Sequence, residues 1–220
     1  IGPQAKWIKN KFTNFKKFSL LLMGALVINF TIFYFFKSYS VISNLVIISS
    51  LFLILSSFLD IFKKSETNIA RITSHLSFGF LIFFIGLNHN FSIEKDFNLK
   101  LGETKKIDNY RFVLKDLKLD KQTNYKAIIG SLQVSNTLTN EERTLNPEIR
   151  IYDNPQTLTY EASIKTNFFK DHYLTMSNID RSDYYNIKFQ EKPLMIWIWI
   201  SVLMLSIGGF LSLFRNAKNN

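Results

Sequence analysis

His75 is an imidazole in the middle of an apolar run, Arg71-Ile-Thr-Ser-His75-Leu-Ser-Phe-Gly79-Phe-Leu-Ile-Phe-Phe-Ile-Gly86. An ionisable side chain in hydrocarbon is costly and needs a partner or a role. Gly79 and Gly86 follow at offsets of 4 and 11. At ~100° per helical residue both fall within roughly 40° of the histidine's direction. Two chemistries fit this pattern. A nitrogen ligand beside a smooth face suits axial ligation of a flat macrocycle such as haem. Alternatively, the small residues let a second helix approach, and His75 hydrogen-bonds across the contact. Spacing alone leaves both open.

The other two histidines carry weaker signals. His89 sits between Asn88 and Asn90 at the outer boundary of the same apolar segment, where a histidine is ordinary. His172, in Lys170-Asp-His-Tyr173, reads as a surface or packing residue of a polar region. The chain has no cysteine, which excludes structural disulfides and thiol–disulfide chemistry by the chain itself. The carboxylates are scattered and read as a solvated surface. No phosphate loop, nucleophile elbow or metal-spaced cluster is present.

The elements that must position His75 are membrane spans. Four apolar blocks, Phe18–Phe36, Val41–Phe62, Ile72–Leu87 and Leu194–Phe214, dominate a 220-residue chain with 22 phenylalanines. A helix rises ~1.5 Å per residue, so roughly 20 residues cross the ~30 Å hydrocarbon core. The expected helices run over about 18–36, 41–62, 72–89 and 193–214. The first follows a Lys-rich stretch like a signal peptide, but its apolar run is too long and lacks a small-residue cleavage site. The chain starts with Ile, as a processed product, a piece of a larger protein or the product of an unusual start codon would.

The net charge of +10 sorts to the membrane edges. Lys6, Lys9, Lys11, Lys16 and Lys17 precede the first span, Lys63, Lys64 and Arg71 lie between the second and third, and Arg215 and Lys218 follow the fourth. Only Lys37 falls in the first short loop, and the segment from Asn90 to Lys192 is balanced at 16 basic and 15 acidic residues. The positive-inside rule then places the basic N-terminus (1–17), the Lys63/Lys64 loop and the tail (215–220) in the cytoplasm or matrix. The long segment faces the periplasm or intermembrane space. A nucleic-acid partner is excluded, because the cations hug membrane edges rather than one domain face.

Within 90–192 the pattern alternates. Tyr110, Phe112 and Leu114 share one face, as do Ile128, Gly130, Leu132 and Val134; Glu148–Tyr152, Tyr173–Met176 and Tyr185–Phe189 continue it. Turn residues at Leu101-Gly102-Glu103, Asp108-Asn109, Asn136, Asn140 and Asp153-Asn154-Pro155 break the runs. Short alternating strands with frequent turns predict one small all-β domain, a sandwich or barrel. The fold class is thus a membrane protein of four transmembrane α-helices with an exported all-β domain inserted between helices 3 and 4.

A series of short matches runs along the chain: Gly2-Pro-Gln-Ala-Lys-Trp7, Asn90-Phe-Ser-Ile-Glu-Lys-Asp96, Leu101-Gly-Glu, Tyr110-Arg-Phe, Pro147-Glu-Ile-Arg-Ile-Tyr152, Glu161-Ala-Ser-Ile164, Lys170-Asp-His-Tyr173, Lys192-Pro-Leu194, Trp197-Ile-Trp199 and Gly208-Gly209. In this order they resemble the C-terminal region of the CcmF family, the large haem-lyase subunits of cytochrome c maturation. In that family a histidine in the helix before the exported domain is one of two transmembrane axial ligands of a b-type haem, and the Arg71–His75 stretch carries that role to His75. Gly79 and Gly86 are then haem-facing. The family's tryptophan-rich segment, second transmembrane histidine and two exported-side histidines have no counterpart here, and neither His89 nor His172 stands where the family places them. The chain resembles the last third of a full-length member, and the Lys-, Asn- and Phe-rich composition suits an AT-rich genome, bacterial or organellar.

The resemblance implies the C-terminal part of a haem lyase complex, a subunit rather than a complete enzyme, in a mitochondrial or bacterial inner membrane. Its haem b is shared with a partner chain or an N-terminal part. Its partners are a CcmF-like N-terminal polypeptide, a haem chaperone and other maturation subunits, apocytochrome c and membrane lipid. The rival reading is a non-catalytic assembly scaffold with a partner-binding β-domain. A transporter subunit ranks last, since Asp60 near a span end is the lone acidic group in the apolar blocks.

Overall fold

Uninterrupted apolar sequence gives helices, and alternating sequence gives strands. The structure, a computed structural model, describes residues 15–36, 40–62, 69–180 and 182–218. The basic stretch 1–14, with Lys37, Lys63 and Lys64, lies outside the described residues, as do the side chains of Arg215 and Lys218. Among the described residues four helices are long and apolar enough to cross a membrane: α1 (Phe15–Phe36), α2 (Val41–Ile61), α3 (Ile69–Phe91) and α4 (Met195–Lys218). Ser40 caps α2, its hydroxyl accepting the Ser43 N–H. The chain divides into a helical unit and a β unit, Ser92–Met195.

In the helical unit, small and polar residues mark the contacts. Asn29 of α1 donates to the Asn44 side chain of α2 at 2.8 Å, a polar link in an apolar layer. Phe18 meets Phe52 edge-on with ring centroids 5.1 Å apart. Ser43, Ser50 and Ser57 of α2 recur every seven residues and are buried. Gly208 of α4 lies against Ser74 of α3, where an added Cβ would stand 2.9 Å from the backbone nitrogen.

The β unit has two antiparallel sheets. One runs β1 (Ile93–Lys100), β10 (Tyr184–Pro193), β9 (Lys170–Asn178), β8 (Ser163–Thr166). The other runs β2 (Thr104–Ile107), β3 (Tyr110–Lys121), β4 (Tyr125–Asn136), β6 (Glu148–Asp153), β7 (Gln156–Glu161), with β5 (Glu142–Leu145) also on β4. Their inner faces close one core around Phe97, Leu99, Phe112, Leu132, Leu174 and Phe189. Tyr110, Phe112 and Leu114 are buried as the alternation requires, until a bulge between Leu114 and Asp116 shifts the register. Beyond it Leu119 points to solvent. Of the two expected forms, this is the sandwich.

α4 starts at Met195, two residues later than the expected 193. Lys192 and Pro193 complete β10, and Leu194 adopts a left-handed backbone at φ 61°, which ends the strand and turns the chain into the helix.

Candidate functional site

α3 positions His75 within a 23-residue helix, two turns from its N-terminus and half-buried. Among the described residues it has no hydrogen-bond partner. The small-residue face beside it is occupied. A Cβ on Gly79 would stand 2.8 Å from Ile54 Cγ1 and 3.4 Å from the Ile54 nitrogen, and one on Gly86 would stand 3.0 Å from Ile47 Cγ1. Both glycines therefore seat α2, in line with the helix-packing alternative, and the room expected beside His75 for a macrocycle is filled there. Nearby on α3, Phe80 and Phe83 flank Phe84, whose ring stacks on Trp197 of α4 at 5.7 Å. Trp197, read from sequence as part of an anchoring belt, thus packs between helices, while Trp199 is exposed. His89 is exposed near the end of α3.

His172 is elsewhere, and it is no surface residue: only 4% of it is exposed. Its ring stacks on Phe189 at 5.5 Å. Arg143 Nη1 approaches Nδ1 at 3.2 Å, and Glu191 Oε2 lies 2.9 Å from Nε2. A guanidinium only donates, so Nδ1 accepts and the ring proton sits on Nε2, facing Glu191. The same Glu191 oxygen accepts from Lys170 Nζ at 3.0 Å and from the Tyr110 hydroxyl. Burial alone would raise the Glu191 carboxyl; hydrogen bonds from His172, Tyr110 and Lys170 outweigh it and bring it down to about 2. Burial, then the hydrogen bond to Glu191 and its charge, pushes the Tyr110 hydroxyl well above its ordinary range. The expectation of solvated carboxylates fails for Glu191 and for Asp171, which is 6% exposed. These residues come from β3, β5, β9 and β10, and short-range spacing carries no sign of their meeting.

Among the described residues no group of three or more His, Asp or Glu side chains is placed to hold a bare metal ion. His75 stands as a single-ligand candidate, and the His172 cluster links the two sheets.

Comparison with known proteins decides the assignment. The family model of the CcmF C-terminal β-sandwich matches residues 90–193. The β unit is a CcmF C-terminal β-sandwich. The likeness to CcmF extends into the helices on both sides. Over 97% of its length the chain is 26% identical to the cytochrome c-type biogenesis protein CcmF of Haemophilus influenzae, covering 35% of that protein. Over 33% of its length it is 37% identical to an uncharacterized mitochondrial protein, ymf2, of Marchantia polymorpha, covering 23% of it. A solved structure named cytochrome c heme lyase CcmF superposes with a TM-score of 0.71 at 14% identity, over 94% of this chain and 35% of that one, which shows a shared fold. The chain spans about a third of the CcmF relatives it matches along nearly its whole length. Along nearly its whole length the chain is thus similar to the C-terminal region of proteins named for cytochrome c-type biogenesis, and its described residues include four helices of membrane-spanning length.

Proposed function

We propose that this chain is the C-terminal part of a membrane haem lyase complex for c-type cytochrome maturation, with His75 as one axial ligand of an intramembrane b-type haem. The observation that carries the reading is that His75, of three histidines, is the one in the interior of a membrane-length helix. It is half-buried with its ring nitrogens unclaimed among the described residues. An imidazole in that setting fits an iron ligand. Gly79 and Gly86 are taken by α2, so the haem lies against another part of the α3 surface, and the second axial histidine comes from a CcmF-like N-terminal polypeptide or segment. Held by two imidazoles, the haem would supply electron transfer rather than oxygen chemistry.

α3 orients His75. The sandwich is the docking domain for apocytochrome c or its haem chaperone, on the periplasmic or intermembrane-space side, where the charge bias of the loops puts it. With no cysteine, this chain forms no bond to substrate thiols and leaves them free for the haem vinyl groups.

The test is the reduced-minus-oxidised visible spectrum of the purified complex, wild type against His75→Ala, co-expressed with the remaining CcmF-like part. A low-spin b-type signal that collapses in the variant supports the reading. Unchanged haem content would make His75 a packing residue and leave the scaffold reading in its place.

A further inference from the structure

The two sheets of the sandwich end at different places, and strand register shows where. Met176 of β9 sits on Gly130 of β4, where an added Cβ would stand 2.8 Å from the Met176 sulfur. The Tyr160 hydroxyl of β7 donates to the Asn178 side chain at 3.2 Å, and β9 ends at Asn178. The strands of the facing sheet run on. Leu119 pairs with Ile128, Ile128 with Ile149 and Ile149 with Tyr160 in one cross-strand row. Two residues further out, Lys121, Lys126, Ile151 and Leu158 form the next.

Residues directly opposite each other, or two apart along a strand, share a face of the sheet. Ile149 belongs to the core and Ile128 packs against it, so both rows lie on the inner face. That face is open here. Leu119 is 79% exposed, and Ile151, Leu158 and Tyr160 are between 38% and 45% exposed. The outer row starts with two opposed lysines, a pairing that costs stability. Among the described residues neither Lys121 nor Lys126 has an ion-pair partner; Asp153 lies one row further out.

We propose, resting on the docking role given to the sandwich, that this strip binds an acidic amphipathic segment of a partner protein. Its apolar side chains would cover Leu119, Ile151, Leu158 and Tyr160, and its carboxylates would neutralise Lys121 and Lys126. Charge sets the sign of the partner: two unneutralised ammonium groups border an apolar surface, and carboxylates placed there relieve their repulsion. Size sets its kind. Four strands ~4.8 Å apart and two rows ~7 Å apart make a strip of roughly 14 by 7 Å. A stable dimer of this chain would need about 800 Å² from each copy, several times that area. One short segment laid across the strands fits it.

The full chain, co-expressed with the remaining CcmF-like part and held in phosphatidylcholine nanodiscs, is titrated with two short fluorescein-labelled helical peptides. One carries leucines on one face and glutamates on the other; its twin has lysines in place of the glutamates. Empty nanodiscs give the lipid background. The expected result is severalfold tighter binding of the glutamate peptide. Lys121→Glu combined with Lys126→Glu should invert that preference, and it keeps a like-charge pair, so stability is matched. Leu119→Ser, at a position already in solvent, should weaken the glutamate peptide severalfold. Equal binding of the two peptides, or a preference that the double variant leaves unchanged, overturns the assignment. Binding no greater than that of empty nanodiscs also overturns it. A chain that sediments as a dimer, dissociated by Leu119→Ser, would give the strip to a second copy instead. The b-type signal of His75→Ala is read separately, so failure of the haem-lyase reading and failure of this one are told apart.

Discussion

One oxygen of Glu191 takes three donors, from Tyr110, Lys170 and His172, in a setting only 13% exposed. Its carboxyl is depressed from an ordinary 4.5 to about 2, so its contribution to stability is complete above about pH 4.5 and is lost as pH falls through 2. The shift corresponds to something on the order of 3 kcal/mol. Acid denaturation of the full chain in detergent, followed by tyrosine fluorescence, is expected to show destabilisation across that window. Glu191→Gln should remove most of that pH dependence and lower stability at pH 7 by roughly 1–3 kcal/mol. An unchanged acid profile in the variant would deny Glu191 this role. His75 stands out in the sequence because a polar group in an apolar run is a local contrast. The Glu191 cluster was not, because Tyr110 and Glu191 lie 81 residues apart and only strand register brings them together.

Glycines set the helix contacts, and their neighbours predict different outcomes for the same change. A Cβ on Gly208 would stand 2.9 and 3.0 Å from Ser74 backbone atoms, which cannot swing aside, whereas Gly209 has nothing within 4 Å. Gly208→Val is therefore expected to push α4 off α3 and to lower the detergent-phase melting temperature, with Gly209→Val close to wild type. Equal effects would mean that the α3–α4 contact lies elsewhere. Apolar length was enough to find all four helices. Their ends were less legible: α3 gains residues at both ends, and α4 starts late because Leu194 is bonded to Phe169, a contact that no local signal announces. The roles of Gly79 and Gly86 were open for the same reason, since a small face says that something flat approaches without saying what.

At the scale of the whole chain, alternation revealed an all-β insert but not the order of its strands, because pairing such as β1 with β10 joins residues about a hundred positions apart. The core is dense around Phe189, fully buried against Phe112 at 5.2 Å. Phe189→Ala is expected to cost about 3–5 kcal/mol, measurable as a lower urea midpoint with intact helical circular dichroism. The β1–β10 pairing reaches further than the sandwich. For a flexible connection, joining α3 to α4 across a hundred residues rather than four would cost roughly 3 kcal/mol of loop-closure entropy. Holding Ile93 opposite Glu191 removes that cost, so the two helices meet at the effective concentration of a short hairpin. The sandwich is thus a folded tie between the end of α3 and the start of α4, and whatever unfolds it raises the entropic cost of their pairing.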